Sequence, residues 1–174
     1  MGRKSRQKGT RFELEVARLL SCWWRQPDAE TLKADQLWFR RVPLSGGFCR
    51  AKAPSDVWAV AEEAQNFPFC VENKNQECWD WNGLMKRNEG WPVDDYWQQV
   101  LESSKSATPK KIPMLLFTKN LHPIYIRMSL KVWKLLDIIP IVKCIEKHAG
   151  ISLFTDLTAI RHDVVVKRLK GYSI

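Results

Sequence analysis

Phe67-Pro68-Phe69-Cys70-Val71-Glu72-Asn73-Lys74 decides the architecture, because an apolar run that ends abruptly in an acid and a base reads as a buried strand opening into a cleft. Side chains alternate along a strand, so Glu72 and Lys74 leave it on one face, about 7 Å apart, and Asn73 leaves on the other. Asp56-Val57-Trp58-Ala59-Val60 also has strand character, and the short polar link Glu62-Glu63-Ala64-Gln65-Asn66 joins it to the first run. So short a connection predicts an antiparallel hairpin. That pairing brings Asp56 beside Glu72, so two acids and a lysine converge.

Working outward, Gln36-Leu37-Trp38-Phe39-Arg40-Arg41-Val42 predicts another strand, broken by Pro43-Leu44-Ser45-Gly46-Gly47. Before it, Phe12, Val16, Leu19, Leu20 and Trp23 recur at helical spacing and predict a helix from about Arg11 to Trp24. Glu13 lies at the border of that apolar stripe, where a carboxylate can point along the edge of a core toward a cleft. Downstream, Asp94 is placed to cap a helix carrying Tyr96, Trp97, Val100 and Leu101, and Thr108-Pro109-Lys110-Lys111 ends it. Ile112-Pro113-Met114-Leu115-Leu116-Phe117 reads as a strand covered on both faces, with Ile124-Tyr125-Ile126 as its hairpin neighbour. Ser129 starts a short helix with Leu130, Trp133 and Leu136, and Val164-Val165-Val166 reads as a small strand in the tail. The order predicts an α/β fold, a mixed sheet with helices against it. At 174 residues, with no repeat or linker, residues 1–174 are expected to form a single domain.

One segment resists this reading. A Trp-rich loop at about 79–95, with Trp79, Trp81 and Trp91, has neither helix nor strand period and reads as an insertion. Its tryptophans are candidates for stacking on unpaired bases or for packing the loop onto the body.

Composition sets the partner class. No run approaches the ~18 consecutive apolar residues of a membrane span, and the polar start Met1-Gly2-Arg3-Lys4-Ser5-Arg6 is unlike a secretory leader, so an intracellular, cytoplasmic setting is expected. Five cysteines with no Cys-x-x-Cys pair, and no histidine at zinc-ligand spacing, fit reduced thiols. His122, His148 and His162 find no partners in sequence and receive no catalytic role. The net charge of +9 makes a polyanion the natural partner.

Two carboxylates held together repel, and a divalent cation relieves that cost most naturally. Mg2+ takes one or two carboxylates and fills its shell with waters and phosphate oxygens. Such an ion acidifies water and polarises a phosphoryl group, while an ammonium offsets the charge that develops. Phosphodiester hydrolysis is the matching reaction. A lone Glu-x-Lys is commonplace on exposed faces; here the upstream Asp, the apolar run and the basic charge set it apart.

These residues resemble the PD-(D/E)xK nuclease superfamily, and within it the archaeal-type Holliday-junction resolvases. Lys8-Gly9-Thr10-Arg11-Phe12-Glu13 resembles that family's opening motif, a Lys-Gly pair followed by a helix glutamate that falls on Glu13. Arg40-Arg41-Val42-Pro43-Leu44-Ser45-Gly46 resembles its arginine and serine loop, Ser55-Asp56-Val57-Trp58-Ala59-Val60 its Asp strand, and Val71-Glu72-Asn73-Lys74 its Glu-x-Lys strand. Gln98 or Gln99 through Phe117 resembles the next helix and strand, and Gly150-Ile151-Ser152-Leu153 the C-terminal segment.

The resemblance implies a restriction-endonuclease-like mixed central sheet flanked by helices, Mg2+ (or Mn2+) as cofactor, a homodimer, and paired symmetric nicking of four-way DNA junctions. It implies Asp56 and Glu72 as metal ligands, Glu13 as a further metal or water ligand, Lys74 as the group orienting water or stabilising the transition state, and Ser45 as a contact to the scissile phosphate. Lys8, Arg11, Arg40 and Arg41 are then candidate phosphate contacts. Three departures stand out: Ser55 separates Pro54 from Asp56, Asn73 replaces an apolar residue and is expected to leave its face less buried, and the Trp-rich insertion is extra. Rival readings are a superfamily nuclease acting on linear or flapped DNA, in phage or mobile-element processing, and a catalytically silent DNA-binding module of the same fold.

Overall fold

The computed structural model describes residues 3–42, 55–80, 92–144 and 148–172. Chain order is α1 (Arg3–Trp23), β1 (Phe39–Arg41), β2 (Val57–Ala59), β3 (Phe69–Asn75), α2 (Pro92–Ser106), β4 (Ile112–Thr118), β5 (Tyr125–Ser129), α3 (Leu130–Leu136), β6 (Val142–Cys144), β7 (Ala149–Leu153), α4 (Phe154–Thr158) and α5 (His162–Leu169). Among the described residues the strands form one seven-stranded sheet in the order β1-β2-β3-β4-β5-β7-β6. Only β3 and β4 pair in parallel, joined by the crossover through α2 that a parallel pair demands; the other pairs are antiparallel. The mixed α/β sheet and the β2–β3 hairpin match the sequence reading, and the hairpin link coils into a single 3-10 turn, Glu62–Ala64.

Period-two alternation divides the core into two layers. Phe69 and Val71 on β3, with Met114 and Leu116 on β4, pack toward α1, where they meet Phe12, Val16 and Leu20. Cys70, Leu115 and Phe117 face the other way, toward Trp97 and Val100 of α2. All seven residues of β4 are buried, as expected for a strand covered on both faces. The position of β3 between the two helical layers follows, and with it the setting of Glu72 and Lys74.

Several expected boundaries shift. The first helix starts at Arg3 rather than Arg11, because a helix nucleated by its buried stripe extends at low cost into the turns before it. The loop expected at about 79–95 gives way to α2 at Pro92, a residue suited to a first helical turn since its missing N–H costs nothing there. Asp94 is therefore inside that turn, not its cap, and with Asp95 it complements the helix dipole. Ser129 does cap α3, its side chain accepting from Val132 N at 3.2 Å. Val164-Val165-Val166 is helical, not a strand, since Val165 and Leu169 sit four residues apart and bury together, and that packing overrides β propensity.

Asn73 also departs from expectation. It is buried at 7% exposure, so its face is no more open than that of an apolar residue, and neither amide atom has a hydrogen-bond partner among the described residues. In β7, a Cβ on Gly150 would lie 2.7 Å from Pro140 Cγ and 2.9 Å from Trp133 Cδ1, so only glycine allows the approach by which Trp133 Nε1 donates to Gly150 O at 2.8 Å. No helix among the described residues is long and apolar enough to cross a membrane.

Candidate active site

Glu72 and Asp56 are both buried polar residues, 4% and 8% exposed, on neighbouring strands. The β2–β3 pairing sets Val57 opposite Val71, and Asp56 N donates to Val71 O at 2.8 Å. The Asp56 carboxylate is then aimed across the pair by a second bond, Asn73 N donating to Asp56 Oδ2 at 2.8 Å. Ser55 holds the hairpin at this point: its Oγ accepts from Val71 N at 2.8 Å and reaches Val57 O at 2.6 Å.

Lys74 Nζ donates to Glu72 Oε1 at 2.6 Å, consistent with the shared face that strand alternation predicts. The ammonium also lies 5.5 Å from the centre of the Tyr96 ring. From the same helix Gln99 Nε2 donates to Glu72 Oε1 at 2.5 Å. Tyr96 and Gln99, three residues apart on α2, thus bracket the Glu72–Lys74 pair. Neither was singled out as a site residue from sequence, although the i, i+3 spacing of two polar groups beside the buried Val93, Trp97 and Val100 was a usable signal.

Glu13 comes to the same place from α1. Its Oε2 accepts from Arg41 Nε at 2.9 Å, joining two candidate residues 28 positions apart. Burial raises the Glu13 carboxyl above its ordinary range, the Arg41 hydrogen bond pulls it back, and the negative charge of Asp56 pushes it up again. Cys70 reads the same field from the neighbouring strand position: burial drives its thiol up to about 12, with Glu72 and then Asp56 adding to the rise. Glu13, Asp56, Glu72 and Lys74 therefore share one electrostatic neighbourhood.

Among the described residues no three His, Cys, Asp or Glu side chains gather closely enough to hold a metal unaided. A Mg2+ site does not require three, since waters and phosphate oxygens complete its shell. The donor set fits such an ion: two buried carboxylates on adjacent strands are hard, anionic oxygen ligands of the kind Mg2+ takes.

The outer candidates are scattered around this centre. Lys8 is ion-paired with Glu77, and Arg11 and Arg40 are exposed. Ser45, Trp81 and Trp91 lie outside the described residues. Trp79 packs against the body of the sheet: it is 2% exposed, with its ring edge-on to Phe117 and Tyr125 at 5.1 and 5.6 Å. It is not available as a stacking platform. His162 lies against the Trp24 ring, in the core layer rather than in the cleft.

A family model described as "Phage putative PDDEXK endonuclease" matches residues 4–170. No curated protein and no solved structure matches the chain.

Proposed function

The chain belongs to the phage PDDEXK endonuclease family and carries its restriction-endonuclease-like α/β fold, and from that premise we propose that it is a Mg2+-dependent DNA endonuclease that nicks four-way junctions in symmetric pairs as a homodimer. The observation that carries the catalytic part is the convergence of buried Asp56 and Glu72 with Lys74 at one strand end. A protein that only gripped DNA would gain nothing from burying acids where phosphate must approach. The choice of a junction over other DNA rests on the likeness of the Lys8-Gly9…Glu13 helix and the Arg40–Gly46 loop to the resolvase motifs. A two-fold dimer suits a two-fold substrate.

In this reading Asp56 and Glu72 would hold the ion, and Glu13, on the α1 side, would bind it or its water. An ion held there would supply Lewis-acid chemistry, polarising the phosphoryl group and acidifying water. Lys74 offsets charge developing on the phosphate, and Gln99 keeps the Glu72 carboxylate turned toward it. Arg11, Arg40 and Arg41 grip backbone phosphates without reading sequence, and Lys8 joins them when it leaves Glu77.

The test presents end-labelled immobile junction, linear duplex and flapped DNA to the full chain with Mg2+. Paired nicks confined to the junction are expected; equal cutting of linear duplex would replace the junction by a general DNA substrate. A second expectation concerns pH. Arg41→Met removes the hydrogen bond that lowers the Glu13 carboxyl, so this group should ionise only at a higher pH and the acidic limb of the cleavage profile should move upward. In Glu13→Gln, replacing Arg41 should leave that limb where it is. An unchanged limb in Arg41→Met would remove Glu13 from the ionisations that matter.

A further inference from the structure

Among the described tryptophans, Trp58 is the exposed one, with 43% of its surface open. An indole face exposed in this way is suited to stacking. It sits on β2, in register with Arg40 of β1, and antiparallel partners project to the same face. Arg40 is itself exposed, its Nε donating to Leu37 O at 3.3 Å. On this side of the sheet, among the described residues, α2 lies over β3 and β4 rather than over the outer strands.

Beside Trp58 a cavity of about 260 Å3 runs from Ser55 to the loop at Pro109, with Gln65 and Lys111 contributing polar groups to its wall. Its volume falls just below the ~300 Å3 lower bound of drug-sized sites, which suits a single ring system. Ser55 is the chain neighbour of Asp56, and Trp58 lies two residues beyond Asp56, at most about 7 Å along the backbone.

We propose that the Trp58 shelf and its cavity bind an unpaired nucleobase adjoining the scissile phosphate, the base stacking on the Trp58 ring with its backbone phosphate on Arg40. This rests on the nuclease reading and extends it to the substrate: a base held in a Watson–Crick pair cannot enter the cavity, so the site selects nucleotides freed at a junction centre, a flap base or a single strand. Aromatic stacking of this kind is tolerant of sequence, and Arg40 adds the cation that single-strand sites pair with it.

The test uses the full chain in EDTA, so that binding is read without cleavage, and DNA with 2-aminopurine placed in turn at each nucleotide of the unpaired region. With the native chain the fluorescence of one position is expected to fall on binding, and in Trp58→Ala that quench should vanish while Kd rises by about 5- to 150-fold, the range of one lost stack. Trp58→Phe, which keeps a stacking face, should retain most of both signals, and it carries the comparison if the alanine variant unfolds. An abasic site at the quenched position should weaken the native chain as much as Trp58→Ala does, and should cost the variant nothing more. A Kd within twofold of native for Trp58→Ala, or an abasic penalty equal in both proteins, overturns the inference. Cleavage in Mg2+ separates the two ideas. If native chain cuts and Trp58→Ala binds and cuts alike, only the stacking site falls; if native chain cuts nothing yet the quench depends on Trp58, only the nuclease reading falls.

Discussion

Asp56→Asn is expected to lower single-turnover cleavage by about a thousandfold or more while DNA affinity stays within a few-fold of native. The change keeps the shape of the site. Asp56 Oδ2 accepts from Asn73 N at 2.8 Å, and an asparagine carbonyl oxygen can accept the same bond, so the β2–β3 strand end should hold its geometry. What disappears is one of two buried negative charges, and with it much of the attraction for a divalent ion. Affinity for DNA should not suffer, since removing an anion beside a phosphate costs no favourable contact. Rapid-quench cleavage of the preferred substrate, with anisotropy titrations in parallel, measures both quantities. Native-like cleavage by Asp56→Asn would remove Asp56 from the chemistry.

Asp94→Ala should have the largest effect on stability, a loss of about 3–5 kcal/mol, because it strands a charge inside the protein. Arg127 on β5 is fully buried, and its Nη1 meets Asp94 Oδ1 of α2 at 2.8 Å. The same guanidinium lies 5.4 Å from the centre of the Trp97 ring, while its Nε and Nη2 have no hydrogen-bond partner among the described residues. Without Asp94 the remaining contacts cannot compensate a buried cation. Arg127→Met should cost less, since an apolar chain of similar length suits this layer, and the double variant should resemble Arg127→Met alone. Urea unfolding at neutral pH reads all three. The pair also bears on function, because it fixes the helix that carries Tyr96 and Gln99 against Lys74 and Glu72. Equal losses for Asp94→Ala and Arg127→Met would mean that the desolvated charge is not what Asp94 relieves.

Elements with local signals were specified by the residues along the chain alone. Apolar alternation ending in Glu72 and Lys74 specified a strand with both groups on one face, and the short link behind it specified the hairpin to Asp56. The order of those elements was enough for a mixed α/β sheet, because strand faces and helix stripes must bury against one another. Other features depended on contacts between residues far apart in the chain. Val164-Val165-Val166 became helix because a packed neighbour outweighs an intrinsic preference of well under 1 kcal/mol per residue. Trp79 was open to two roles until the positions of Phe117 and Tyr125 were known.

The division is sharpest within the site. Asp56, Glu72 and Lys74 were legible because the strands that carry them adjoin in sequence as well as in space. The Glu13–Arg41 ion pair, the Gln99 bond to Glu72 and the Arg40–Trp58 shelf were not, since each joins residues whose separation along the chain says nothing of their distance. Local patterning tells a chain which side of each element to bury; only the folded sheet, with α1 on one face and α2 on the other, decides which polar groups are left to meet at its edge.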